Sequence, residues 1–236
     1  MDLDFEGGEI LLFNKPLQWT SFDVVNKVRR ELKKYTGNSR LKVGHAGTLD
    51  PLASGLLVIC TGKMTKRIDE FQAQEKEYTG TLLLGASTPS FDMETEIDRR
   101  FDTSGLTADM LHAAAGRFTG EIQQIAPAFS AIKIGGERAY EKARRGEKPK
   151  LKARTVHVSV FELTAIRLPE ADFRVICSKG TYIRSLAHDF GKALNNGACL
   201  TALTRTRIGN FRLGDAWEVN DFVQLIKRKR VNESLS

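Results

Sequence analysis

Between Gly44 and Cys60 the chain reads GHAGTLDPLASGLLVIC. One imidazole, His45, and one carboxylate, Asp50, stand among three glycines, a proline and two small hydroxyls, and an apolar run follows at once. A carboxylate in such a setting can accept a proton, or act as a nucleophile and form a covalent intermediate. Glycines flanking His45 let a ligand approach the backbone closely, and an apolar strand behind the loop would hold it rigid, as a catalytic group requires. The plainer reading makes Asp50 a turn residue, because Asp before Pro commonly caps a turn through its side chain. A Ser54–His45–Asp50 hydrolase triad lacks the G-x-S-x-G turn that presents a nucleophilic serine, and is set aside.

The rest of the chain limits what surrounds this loop. Its 236 residues suffice for one large domain or two small ones, and 41% hydrophobic with 28% charged residues is a globular composition. A net charge of +7 favours a polyanionic partner. Cys60, Cys177 and Cys199 never form C-x-x-C, so reduced thiols packed as small hydrophobes in a cytoplasmic protein are expected. The four histidines show no metal-ligand spacing, and no metal is expected. The opening MDLDFEGGEI is acidic, unlike a signal or transit peptide, and no run approaches the ~18 apolar residues of a membrane span.

Elements that would position the loop follow from periodicity. EILLFNKP reads as a strand stopped by Pro16. A helix capped by Thr20 or Ser21 then shows Phe22, Val25, Val28 and Leu32 on one face and closes at Gly37. LKVGH and GLLVICTG are strands on either side of the loop; MTKRIDEFQAQ suits a helix and EYTGTLLLG a strand. LTADMLHAAAGRF is a helix capped by Thr107. TVHVSVFELTAIRL and DFRVICSKG pair as strands across Pro169, TYIRSLAHDFGKAL is a helix, LTALTRTRIGNFRL a strand and VNDFVQLIKRKR a last helix. Strands outnumber crossover helices, which predicts an α+β fold with a mixed, largely antiparallel sheet flanked by helices. The expected organisation is a single domain over 1–236.

Charge is uneven. Ser90–Asp109 carries six acids and two arginines, and Lys133–Arg154 nine basic residues and three acids. The second block holds Gly135, Gly136, Gly146 and Pro149, so an exposed basic excursion at about 121–154 is expected, either a solvated surface or an arm that tracks phosphates.

Several segments together carry a resemblance. GHAGTLDPLASGLLVICTG is similar to the signature of the TruB-type pseudouridine synthases. NKPLQWTSFDVVNKVRR, KEYTG, APAFSAIKIGGERAYEKARRG, CSKGTYIRSLAHDFG and GACLTALTRTRIG resemble that family's other segments in order and spacing, from about Glu9 to Arg212. Gln18 stands where the family usually places glycine, and Phe129 where tyrosine is common. The resemblance implies isomerisation of uridine 55 in the T loop of tRNA without cofactor or metal, by a stand-alone monomer. It also implies a single catalytic domain over 1–236, with no separate C-terminal RNA-binding domain of the kind found in many relatives. It implies Asp50 as the catalytic carboxylate, Arg184 as its cationic partner, and Tyr78 stacked on the flipped base with its phenol near the C5 proton. His45 would fill the vacated space, and Tyr182 and Leu203 would line the pocket. Lys15, Lys133, Arg144, Arg145 and Lys148 are the expected RNA contacts. Two alternatives stay open: a guide-RNA-dependent, dyskerin-like synthase, and a non-catalytic tRNA-binding or folding protein.

Overall fold

The computed structural model describes residues 3–147 and 149–235. In chain order the strands are β1 (Ile10–Lys15), β2 (Val43–His45), β3 (Ala53–Thr61), β4 (Lys76–Leu84), β5 (Ala86–Ser87), β6 (Arg99–Arg100), β7 (Gly120–Gln124), β8 (Lys133–Ile134), β9 (Glu137–Arg138), β10 (Arg154–Arg167), β11 (Glu170–Cys177), β12 (Ala198–Ile208), β13 (Phe211–Arg212) and β14 (Trp217–Glu218). The helices are α1 (Ser21–Thr36), α2 (Ile68–Ala73), α3 (Ala108–Gly116), α4 (Ala139–Arg144), α5 (Ile183–Ala193) and α6 (Val219–Leu235). By packing, the chain forms two compact units, one from Met1–Lys76 and Thr204–Ser236, the other from Glu77–Leu203.

In the first unit β1 pairs antiparallel with β3, Ile10 opposite Cys60 and Lys15 opposite Gly55, and parallel with β14. β2 lies antiparallel on β3, with Val43 opposite Thr61 and His45 opposite Ile59. Phe13, Leu57 and Ile59 pack with Val24, Val28 and Leu32 of α1 and with Phe222 and Ile226 of α6. Leu56, Val58 and Cys60 meet Phe71 and Ile208. β3 is thus covered on both sides, which is why it reads as a continuous apolar run instead of an alternation.

α1 begins as the sequence dictates. The Thr20 side chain accepts the Asp23 amide, and the Asp23 carboxylate accepts the Thr20 amide, a reciprocal capping box. Gly37 ends it in the left-handed conformation, φ 69°. One face assignment changes. Phe22 is 58% exposed and Val24 takes its place in the core, because the buried stripe runs through Val24, Val25, Val28 and Leu32. The expected helix at 64–74 divides into a 3₁₀ turn, Gly62–Arg67, and α2.

In the second unit β10 pairs antiparallel with β11, Phe161 opposite Val175, and with β7, Val156 opposite Ile122. β4 follows β11, and β12 follows β4. Phe118, Phe161, Phe173 and Phe190 meet edge to face. The mixed sheet with flanking helices is the fold class that the strand count implies. Three short features give no sequence signal: β7, the β8–β9 hairpin and α4 are all too brief for a periodicity to show. Cys60, Cys177 and Cys199 are buried and unbridged, and burial pushes the Cys60 and Cys199 thiols up to about 11. No helix among the described residues is long and apolar enough to cross a membrane.

Candidate active site

The loop that carries His45 and Asp50 leaves β2 and enters β3, and its backbone is held from several directions. The Ser21 hydroxyl accepts the Leu49 amide at 2.8 Å and lies 3.2 Å from the Leu49 carbonyl, to which it donates. The Ala46 amide donates to the Val58 carbonyl, the Ala53 amide to the Asp50 carbonyl, and the Gln18 amide to the Pro51 carbonyl. Gln18 makes that bond at φ 67°, which explains why glycine suits its position.

The strongest hold comes from a residue not singled out in the sequence. Arg205, on β12, is 1% exposed. Its guanidinium donates to the carbonyls of Leu56 (2.8 Å), Gly47 (3.1 Å) and Thr48 (3.4 Å). A rigid fork of donors is suited to gathering three carbonyls from both ends of one loop. Gly55 makes the approach possible. At φ 102° it lies so close to β12 that a Cβ would stand 2.4 Å from the Arg205 carbonyl oxygen and 2.8 Å from its nitrogen.

Lys15, expected among the RNA contacts, is instead fully buried. Its ammonium donates to the carbonyls of Pro16 (2.9 Å) and Trp19 (2.5 Å). Burial lowers its pKa to about 8, against opposing attraction from Asp50 and with a further lowering by Arg205. Lys15 therefore belongs to the electrostatics of Asp50, inside the protein, where no phosphate reaches it. His45 is half-buried at the end of β2. Burial and then the Arg205 charge lower its pKa below the ordinary 6.5, with a Gly47 backbone hydrogen bond working the other way. Its imidazole is therefore held toward the neutral form.

The second unit holds the remaining candidates. Tyr78 is buried in β4. Two residues on, Gly80 lets β12 and β11 close in: a Cβ there would stand 2.3 Å from the Ala202 carbonyl oxygen and 2.8 Å from the Phe173 ring. Leu203 is half-buried near the middle of β12. Tyr182 is the N-cap residue of α5, its amide donating to the Gln124 side chain and its carbonyl accepting from it. The Arg154 guanidinium lies over its ring, 4.7 Å from the centroid.

Arg184, in the first turn of α5, is 3% exposed. It donates to the carbonyls of Ser90 (3.2 Å) and Phe129 (2.9 Å) and lies 3.5 Å from the Asp92 carboxylate. In the sequence Asp92 is one acid among several in a loop, yet it is nearly as buried as the arginine. Phe129 contributes its main-chain carbonyl, which does not depend on its side chain. Within the basic excursion, Arg144 pairs with Glu94, and Arg145 pairs with Glu137 and Glu147. Lys133 is exposed, and Lys148 lies outside the described residues. The nine basic residues are therefore partly neutralised, Arg144 by a glutamate far away in sequence.

Each unit thus keeps polar groups withdrawn from water: Lys15 and Arg205 behind the half-exposed Asp50 loop in the first, Tyr78 and Arg184 in the second. Residues 30–183 match TruB family pseudouridylate synthase (N terminal domain). The chain belongs to that family and is a pseudouridine synthase, an isomerase. Among its relatives, a protein named tRNA pseudouridine synthase B from Phocaeicola vulgatus is 53% identical over 99% of this chain and 100% of its own length. One of the same name from Flavobacterium johnsoniae is 53% identical over 93% and 96%. Among solved structures, a Cbf5-Nop10-Gar1 complex matches with TM-score 0.69 and 28% identity over 96% of this chain. An H/ACA RNP bound to a substrate RNA containing 2'-deoxyuridine matches with TM-score 0.67 and 28% identity over 93%. This chain covers 60% and 53% of those two chains.

Lys15→Met keeps an apolar stem but leaves the Pro16 and Trp19 carbonyls without their donor, at a cost of about 1–3 kcal/mol. The pH dependence has a definite sign. The folded pKa, about 8, lies below the ordinary 10.5, so between these values the unfolded chain binds more protons. The stability that wild type holds over Lys15→Met should therefore grow as pH rises from 8 to 10.5, measured by urea midpoints. A difference that stays flat across that window would dissociate Lys15 from the effect.

Proposed function

We propose that the protein converts uridine 55 in the T loop of tRNA to pseudouridine, alone and without guide RNA, cofactor or metal. The observation that carries this reading is the loop of Asp50, pinned through Ser21, Gln18 and Arg205, in a chain that matches relatives named tRNA pseudouridine synthase B over nearly its whole length. The reaction breaks the bond from uracil N1 to the sugar, turns the base, joins C5 to the sugar and releases the C5 proton. Asp50 is the carboxylate that begins it, as nucleophile or base. Fixing the loop backbone holds the carboxylate in an attacking geometry and removes a reorganisation that would otherwise slow the step.

The uracil must first leave its stack, at a cost of a few kcal/mol. Tyr78 holds the flipped base, His45 takes its former place, Tyr182 and Leu203 line the pocket, and Arg184 supplies the cation. Lys133, Arg144, Arg145 and Lys148 reach the RNA backbone from the excursion. The working form is a cytoplasmic monomer with a single catalytic domain. The likeness to the H/ACA RNP favours one second reading, a synthase that depends on guide RNA. Tritium release from C5-labelled uridine in bare tRNA transcript, with a U55C transcript as control, separates the two. Release from the first transcript alone supports the stand-alone reading, and no release from either opposes it.

Asp50→Asn keeps shape and removes charge, so tRNA binding should persist while turnover vanishes in the same assay. Turnover near the wild-type rate would remove Asp50 from the chemistry.

Stacking on Tyr78 contributes roughly 1–3 kcal/mol to holding the base, and phenylalanine stacks equally well. If the phenol handles the C5 proton, Tyr78→Phe should bind tRNA normally and slow single-turnover tritium release by about 10²–10⁴. A nearly normal rate would leave the hydroxyl without a catalytic role.

In the excursion, Arg144 and Arg145 must exchange carboxylates for phosphates, whereas Lys133 stands opposite another cationic residue, Arg138, in the β8–β9 hairpin. Replacing Lys133, Arg144 and Arg145 with glutamine should weaken tRNA binding. The slope of log affinity against log salt should flatten by about 0.7–0.9 for each phosphate no longer neutralised. An unchanged slope would return the block to an ordinary solvated surface.

A further inference from the structure

His188 has no place in the chemistry described so far, yet it stands four residues after Arg184 on α5, one helical turn along the same face. Its ring lies flat against Phe91, with centroids 3.9 Å apart and planes 15° from parallel. Phe91 is the residue between the two that grip the arginine: the Ser90 carbonyl accepts from Arg184, and the Asp92 carboxylate lies 3.5 Å from it. Three consecutive residues thus dock on one face of α5, the outer two on Arg184 and the middle one on His188.

Phe91 also has φ 65°, a left-handed backbone conformation that a bulky side chain adopts only when its surroundings require it. That conformation reverses the turn, closed by the Phe91 amide on the Thr88 carbonyl. On the far side, the Leu200 amide donates to the Phe91 carbonyl, and Asp92 bridges to Leu200. The turn is anchored to β12 by its backbone and to α5 by the ring stack. Burial, and then Lys192, lower the His188 pKa, with Asp98 opposing. A neutral imidazole stacks on phenylalanine without placing a second cation one turn from Arg184.

We propose that His188 is a positioning residue: by stacking on Phe91 it holds the Ser90–Asp92 turn against α5 and so fixes the Arg184 guanidinium for the reaction. The proposal rests on the isomerase reading above for its kinetic consequence, and on the fold alone for its structural one. The ring matters as a flat surface. A phenylalanine should therefore replace it and an alanine should not.

The full-length chain with His188→Ala, His188→Phe and Phe91→Gly provides the test. Single-turnover tritium release at saturating tRNA, tRNA affinity, melting temperature and amide exchange at Leu200 are measured for each. His188→Ala should lose about 10- to 100-fold in rate, the scale of a small misplacement of a reacting group. Its tRNA affinity should stay within about twofold of wild type, a difference too small to count as weakened binding. Leu200 exchange should quicken, and His188→Phe should restore both rate and protection. Phe91→Gly removes the ring but accepts the backbone conformation, so it should slow the reaction while melting near wild type. A wild-type rate in His188→Ala, or in Phe91→Gly, overturns the proposal, as does a loss that His188→Phe leaves unrepaired. A wild-type enzyme inactive on tRNA would overturn the isomerase reading instead. Leu200 exchange would then still decide whether the stack holds the turn.

Discussion

The site in the first unit depends on one buried guanidinium. Arg205 carries its charge in the interior with its donors turned to the carbonyls of Leu56, Thr48 and Gly47. A buried charge without such partners is strongly unfavourable. The loop therefore cannot drift from β12 without exposing that cost, and the position of Asp50 is set by the same requirement. Gly55 and the extended course of β3 follow from it, because only a residue without a side chain admits the Arg205 backbone so closely. Lys15 repeats the device on the other side of the loop, with two carbonyls around a buried ammonium.

Where the chain speaks through regular spacing, the sequence is explicit. The cap at Thr20 and the stop at Gly37 are local signals that need only their own neighbours, and both act as their residue types imply. β3 is legible because double-sided burial leaves an unbroken apolar run. The loop around Asp50 is legible as a tight turn because glycines and a proline flank it, and its backbone hydrogen bonds close as such residues allow. Phe22 misleads because an apolar residue at helical spacing looks like core, whereas the helix turns it outward beside Arg29.

Arg205 and Asp92 are not legible for a different reason. Nothing in TRTRIG tells which arginine points inward, and nothing in an acidic stretch tells which carboxylate is buried. Those facts exist only once strands distant in sequence lie side by side. Charge counting fails in the same way. The excess of basic residues from Lys133 to Arg154 is real, but Glu94, from another segment, comes to Arg144. That pair is invisible to a count made within the block.

The partners of three of the buried cations have a consequence for how this site can vary. Arg205, Lys15 and Arg184 are gripped largely by main-chain carbonyls, those of Gly47, Thr48, Leu56, Pro16, Trp19, Ser90 and Phe129. A carbonyl is present whatever side chain its residue bears. Drift at Thr48, Leu56, Ser90 or Phe129 thus leaves the grip intact so long as the backbone keeps its course. The cations themselves have no such freedom. Substitution should therefore cost most at the few long charged side chains and least at residues that lend them only a carbonyl, Phe129 among them.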